Sequence, residues 1–216
     1  MTPLGLGLAA HGRPAYINLE RTADLGSDRS MTAMEDRCHR MLDAAYAAGI
    51  RYFDAARSYG RAEAFLATWL TSRNPPPDSF TIGSKWGYAY VGDWRLDASV
   101  HEAKDVSGNQ LRRQFAAGRK LLGPRLHLYQ FHSATLDSRD LEDRDVLDEL
   151  MALRADGLAV GLTVSGPRQP DVIRRALQVK VDGINPFQVV QATWNLLEPS
   201  AGAALAEARA FGWGVI

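Results

Sequence analysis

A chain of 216 residues, 46% of them hydrophobic, is long enough for one domain with a sizeable core, residues 1–216, and too short for two comfortable ones. Its 25 acidic and 25 basic residues balance, so no global field draws it to nucleic acid or an anionic membrane, and a small, weakly charged molecule is the expected partner. No charged-then-apolar leader opens the chain and no apolar run approaches the roughly 20 residues of a spanning helix, which makes a soluble cytoplasmic protein the expectation.

In chain order, Leu4 to Leu8 alternates Leu and Gly, a strand pattern suited to close approach of another backbone or a ligand. His11 to Ser30 has no period and is predicted as a long loop. Thr32 and Glu35 have capping-box spacing, and Met34, Cys38, Met41, Leu42 and Ala45 then recur at helical intervals until Gly49. The lone Cys38 therefore reads as a small buried hydrophobe in a reducing compartment. A second strand, Tyr52-Phe53-Asp54, leads through a turn closed by Gly60 to a helix with Phe65, Leu66, Trp69 and Leu70 on one face, ended at Asn74-Pro75-Pro76-Pro77.

Phe80 to Lys85 is the third strand, followed from Trp86 to Val106 by an aromatic-rich loop that would wall a pocket or pack over a rim. Ser107 and Gln110 open a third helix bearing Leu111, Phe115, Leu121 and Leu122. Leu126 to His132 is the fourth strand, Asp145 to Ala155 the fourth helix with Gly157 as its stop, and Leu158 to Ser165 the fifth strand. Pro170 sits in the first turn of helix five, with Val172, Ile173, Ala176 and Leu177 inward. Phe187 to Trp194 is strand six, Ser200 to Ala210 helix six, and Gly212 to Ile216 strand seven.

About seven strands in strict alternation with six helices predict βαβ units and a parallel sheet. The loop after Leu8 lacks a Gly-x-Gly-x-x-Gly, which favours an α/β fold of the (β/α)8 TIM-barrel type over an open doubly wound sheet. The barrel is expected to be incomplete at the C-terminus, since the sequence stops within strand seven, and its exposed edge would favour self-association.

Barrel chemistry gathers at the carboxyl ends of strands. There this sequence places Asp54, with Tyr59 just beyond it, then Lys85, His132, Ser165 and, late in strand six, Gln191. A phenol with a free pKa of about 10 is a poor acid at neutral pH, but a nearby ammonium stabilises the phenolate and lowers that value. Lys85 would supply the charge, Asp54 would hold Lys85, and His132 would orient or polarise a substrate oxygen. Taken singly, each has a plainer reading: a helix cap for Asp54, a core ring for Tyr59, exposed strand ends for the others. The histidines lack metal-ligand spacing and have no cysteine cluster beside them, so no metal is expected.

At these positions the chain resembles the aldo-keto reductase superfamily: Asp-Ala-Ala-x-x-Tyr-Gly-x-Ala-Glu from Asp54 to Glu63, then Gly-Ser-Lys, Gln-Phe-His and Gln-Ala-Thr-Trp-Asn-Leu-Leu, in order over almost the whole chain. The resemblance implies a tetrad of Asp54, Tyr59, Lys85 and His132, in which Tyr59 protonates a carbonyl oxygen while reduced NADP (NADPH) delivers hydride to its carbon. It implies contacts from Ser165 and Gln191 to the nicotinamide carboxamide and a substrate wall near Trp86 and Trp94, for an aldehyde or ketone beside apolar groups. Where the family usually has an asparagine after the serine, Gly166 stands here. Two other readings of the same residues are a cofactor-independent proton-transfer enzyme (isomerase, dehydratase or lyase) using Tyr59, Lys85 and His132, and a non-catalytic barrel remnant whose edge pairs with a partner.

Overall fold

The computed structural model describes residues 4–15, 26–136 and 141–216, so residues 16–25 of the loop predicted between His11 and Ser30 lie outside the described residues. The chain divides into two compact units, Met1–Asp105 with Gln114–His127, and Val106–Arg113 with Leu128–Ile216.

The first unit is built on three parallel strands: β1 (Gly5–Gly7), β2 (Tyr52–Asp54) and β3 (Thr81–Trp86). Phe53 registers with Leu6 on one side and Ile82 on the other, and Asp54 with Gly7 and Gly83. The glycines of β1 and β3 make room for a side chain of β2. A Cβ at Gly5 would lie 2.6 Å from the Tyr52 ring, and one at Gly83 2.5 Å from its hydroxyl oxygen. The close approach in β1 is thus at Gly5, and the approaching group is the Tyr52 side chain where another backbone or a ligand was expected; a Cβ at Gly7 would meet nothing within 4 Å.

Helix α1 (Met31–Ala47) buries Met34, Cys38, Leu42 and Ala45. Its cap is Ser30, whose hydroxyl accepts from the Ala33 amide, and not Thr32 as the capping-box spacing suggested. Ser30 satisfies one of the amides that a helix start leaves orphaned, and Thr32 falls inside the first turn. Helix α2 (Ala62–Arg73) ends on Asn74 in the left-handed region, as the Asn-Pro break predicts. The Trp69 indole donates to Asp43 of α1 at 2.7 Å, and its ring meets Phe53 edge-on with centroids 5.6 Å apart. Trp69 is buried; truncating such a ring typically costs about 3–5 kcal/mol. Met41 and Leu121, counted on the apolar helix faces, are exposed.

The segment predicted as an aromatic loop contains an antiparallel hairpin, β4 (Tyr88–Tyr90) with β5 (Glu102–Lys104). Both strands are three residues centred on alanine, too short to show a period, and their turn uses Asp93 and Trp94 at positive φ instead of a hairpin dipeptide. Helix α3 (Gly108–Leu122) follows, the Ser107 hydroxyl accepting from the Gln110 amide as its spacing predicts.

The second unit carries four parallel strands in sequence order: β6 (Leu128–Phe131), β7 (Ala159–Val164), β8 (Val189–Ala192) and β9 (Gly214–Val215). Between them run α4 (Arg144–Ala155), capped by Asp143, α5 (Gln169–Gln178), with Pro170 in its first turn, and α6 (Gly202–Ala210). All four residues of β6 and the last five of β7 are buried, the pattern of strands covered on both faces, with Gln130 and Thr163 as the polar members. Val146, Leu147, Leu150 and Leu153 of α4 and Val172, Ile173 and Ala176 of α5 supply buried helix faces.

Candidate active site

In the first unit, Asp54 and Lys85 stand at or near the carboxyl ends of β2 and β3, and both are buried, 6% and 2% exposed. The Lys85 ammonium donates to Asp54 Oδ2, to the Ala55 carbonyl at 3.1 Å and to the Tyr59 hydroxyl at 3.4 Å. It lies 4.9 Å from the centroid of the Tyr59 ring. The other oxygen of Asp54 accepts from the Tyr52 hydroxyl at 3.2 Å. Burial pushes the Lys85 pKa down, and the adjacent Asp54 carboxylate pulls it back up. Three of the four residues in the predicted tetrad are therefore assembled around one buried cation.

The turn between β2 and α2 is held by its backbone. The Ala55 amide donates to Gly83, that of Arg57 to Lys85 and that of Tyr59 to Ala56, so the turn follows the end of β3 before entering the helix. Gly60, at φ 63°, supplies the left-handed residue. A second buried acid serves the same turn: Glu63, 2% exposed, pairs with the Arg57 guanidinium and accepts from the Ser84 hydroxyl at 2.6 Å. Tyr52, Glu63 and Ser84 lie in the strand and motifs read from the sequence but were given no role there. A tyrosine in a strand and a glutamate in the first turn of a helix have ordinary structural readings, and only the neighbouring glycines hinted at Tyr52.

His132 belongs to the second unit, where it directly follows β6 and is half-buried. The chain leaves it through Ser133 at φ 55°, pinned by the Ser133 amide to Thr163 Oγ1 at 2.8 Å and by the Ala134 amide to the Thr163 carbonyl at 2.9 Å. Ser165 follows β7 and is exposed, with Gly166 at φ 78° after it. Gln191 of β8 registers with Thr163 and accepts from the amide of Gln130, itself fully buried, at 3.1 Å. Ser165 and Gln191 thus stand at the carboxyl ends of adjacent strands.

Trp86 is fully enclosed, so any part it has in a pocket is as backing behind the lining. Trp94 is tethered through its indole to the Arg29 carbonyl at 2.8 Å and through its amide to the Tyr90 hydroxyl at 2.9 Å. Its ring meets Phe65 edge-on at 6.3 Å.

The aldo/keto reductase family profile matches residues 22–212. A D-threo-aldose 1-dehydrogenase of a Pseudomonas species is 25% identical over 193 residues, which are 82% of this chain and 56% of that protein. This chain thus spans little more than half the length of that relative. A solved structure from Pseudomonas aeruginosa, assigned to the aldo-keto reductases, is 26% identical with a TM-score of 0.72, covering 99% of this chain and 71% of its own. The glycerol dehydrogenase of Gluconobacter oxydans superposes with a TM-score of 0.67 at 22% identity, over 98% of this chain and 57% of its own, a likeness of fold alone. Among the described residues, the three parallel strands of the first unit, the four of the second and six helices are those of a (β/α)8 barrel-type α/β fold, incomplete in these residues. With the family profile matched over residues 22–212, most of its length, the chain belongs to the aldo/keto reductase family.

Proposed function

We propose that the chain carries the site of an NADP-dependent oxidoreductase that reduces an aldehyde or ketone to an alcohol. The observation that supports this best is the buried Lys85 ammonium, held by Asp54 and within reach of the Tyr59 hydroxyl. An ammonium against a phenol stabilises the phenolate left after proton transfer, so Tyr59 is suited to protonate the developing alkoxide as general acid. Asp54 keeps Lys85 charged and oriented, and Tyr52 in turn orients Asp54. His132 is assigned to the carbonyl oxygen as a positioning and polarising group.

A nicotinamide carboxamide needs one hydrogen-bond donor and one acceptor. Ser165 and Gln191 offer a hydroxyl and an amide at adjacent strand ends, and the Gln130 donor held by Gln191 Oε1 leaves the amide nitrogen of Gln191 to face a ligand. These residues fit the group; when bound, the reduced nicotinamide supplies the hydride. Gly166 adds no side chain to that contact. Because one relative is named for an aldose, hydroxy-carbonyl compounds of sugar type are the first substrates to try.

The test is NADPH consumption with a panel of aldehydes and ketones, for the wild type and Tyr59→Phe. The variant is expected to lose about a hundredfold or more in kcat while NADPH binding, followed by tryptophan fluorescence, stays unchanged. Wild-type turnover in Tyr59→Phe refutes the assignment of the general acid. Turnover that ignores added nicotinamide nucleotide points instead to proton transfer alone.

A further inference from the structure

Tyr59 sits on a turn, and a turn positions a general acid only as well as its own backbone is held. Within the first unit the loop after β1 performs part of that holding. The Gly12 carbonyl accepts from the Arg61 amide at 2.6 Å, two residues after Tyr59, and Arg13 Nη1 donates to the Ser58 carbonyl at 3.2 Å, one residue before it. The two backbones are in direct contact. A Cβ at Gly12 would lie 1.9 Å from the Tyr59 carbonyl oxygen, and one at Gly60 2.4 Å from the Gly12 oxygen.

Arg13 is only 6% exposed, an unusual position for a guanidinium unless it is paired. Its partner is Glu102 Oε1 on β5 at 3.0 Å, and its guanidinium lies 5.8 Å from the centroid of the Tyr90 ring on β4. Arginine suits this place because its planar fork reaches a carbonyl and a carboxylate together, which a point-like ammonium does poorly.

We infer that Arg13 is a positioning residue for Tyr59: with Glu102 it ties the β4–β5 hairpin to the turn that carries the phenol and fixes where the Tyr59 hydroxyl sits relative to Lys85. The catalytic half of this inference rests on the reading of Tyr59 as general acid; the structural half does not.

Both halves are read with Arg13→Met, Arg13→Lys and Glu102→Gln. In amide hydrogen exchange of the full chain, the segment 57–62 is expected to exchange about tenfold faster in Arg13→Met, the scale of one charge-assisted hydrogen bond, with β7 unchanged and Arg13→Lys intermediate. Glu102→Gln should shift the same segment in the same direction but less. Exchange of 57–62 at the wild-type rate overturns the inference, as does an equal acceleration across the whole first unit. If Arg13→Met fails to fold, Arg13→Lys and Glu102→Gln carry the same test.

In turnover, kcat of Arg13→Met should fall about tenfold to a hundredfold with NADPH affinity unchanged, and Arg13→Lys should recover part of the loss. A wild type that turns over and is silenced by Tyr59→Phe, beside an Arg13→Met variant of undiminished kcat, overturns this inference alone. A wild type without reductase activity refutes the proposed function instead, and the exchange of 57–62 still decides for or against the brace.

Discussion

Replacing Asp54 by Asn removes the carboxylate facing a lysine that is 2% exposed and leaves the ammonium with the Ala55 carbonyl at 3.1 Å and the Tyr59 hydroxyl at 3.4 Å. Breaking a buried ion pair on one side typically costs about 3–5 kcal/mol, because an uncompensated charge stays behind. With a urea m-value near ~2 kcal/mol/M, a loss of ~4 kcal/mol moves the unfolding midpoint down by about 2 M. Lys85→Met should cost a similar amount, since it strands Asp54 with the Tyr52 hydroxyl at 3.2 Å. The double variant should be far less destabilised than the sum of the two, by at least about 2 kcal/mol of coupling. The assay is urea unfolding of all four proteins at pH 7. Additive losses refute the reasoning, for they would mean that neither charge depends on the other. Activity supplies an independent check. Burial already lowers the Lys85 pKa and Asp54 opposes that shift, so Asp54→Asn should move the alkaline limb of the reductase pH profile to lower pH.

Three further outcomes are expected. His127 Nδ1 accepts from the Ile82 amide at 3.1 Å and burial lowers its pKa below the ordinary 6.5, so the unfolded chain takes up the proton first. Stability should therefore be full above that value, fall as pH drops through it and level off below the folded pKa; His127→Asn should flatten the slope between pH 7 and 5, and an unchanged slope excludes this cause. Gly60→Ala places a Cβ 2.4 Å from the Gly12 carbonyl oxygen at φ 63°, so thermal unfolding should show a loss of at least about 1–2 kcal/mol from the left-handed conformation alone. The Cys38 thiol, pushed up to about 12 by burial, should resist iodoacetamide at pH 8 and react at the rate of unfolding in urea; rapid native labelling would contradict its burial.

Most of the fold was legible because its signals are local. Gly49, Gly157 and Asn74 end helices where backbone with positive φ is needed, and the apolar period of α1 matches what is buried except at Met41, as that of α2 does at Phe65, Leu66, Trp69 and Leu70. The hairpin was not legible, because its strands are too short to show a period and its turn carries no hairpin dipeptide. At the site, strand ends pointed to Asp54, Lys85 and His132 through the barrel rule, whereas Arg13 and Tyr52 depend on contacts that no spacing encodes. Arg13 reads from the sequence as one more charge in a loop. Its burial follows only once Glu102 and the Ser58 carbonyl stand beside it.

The period of two in β3 explains why the segment from Asp54 to Glu63 begins and ends with a carboxylate. Successive side chains of a strand point to opposite faces, so Ser84 and Lys85 cannot serve the same neighbour. Lys85 takes Asp54 and Tyr59 on one face, and Ser84 takes Glu63 of α2 on the other. The turn that carries Tyr59 must cross between them, and Arg57, midway along it, gives its amide to the Lys85 carbonyl and its guanidinium to Glu63. One acid therefore keeps the cation beside the phenol, while the other fixes the backbone that delivers the phenol to it. Losing Glu63 would leave the charges around Tyr59 in place and release its path, whereas losing Asp54 would keep the path and release the charge. The two acids are not interchangeable, although both are buried carboxylates paired with a cation.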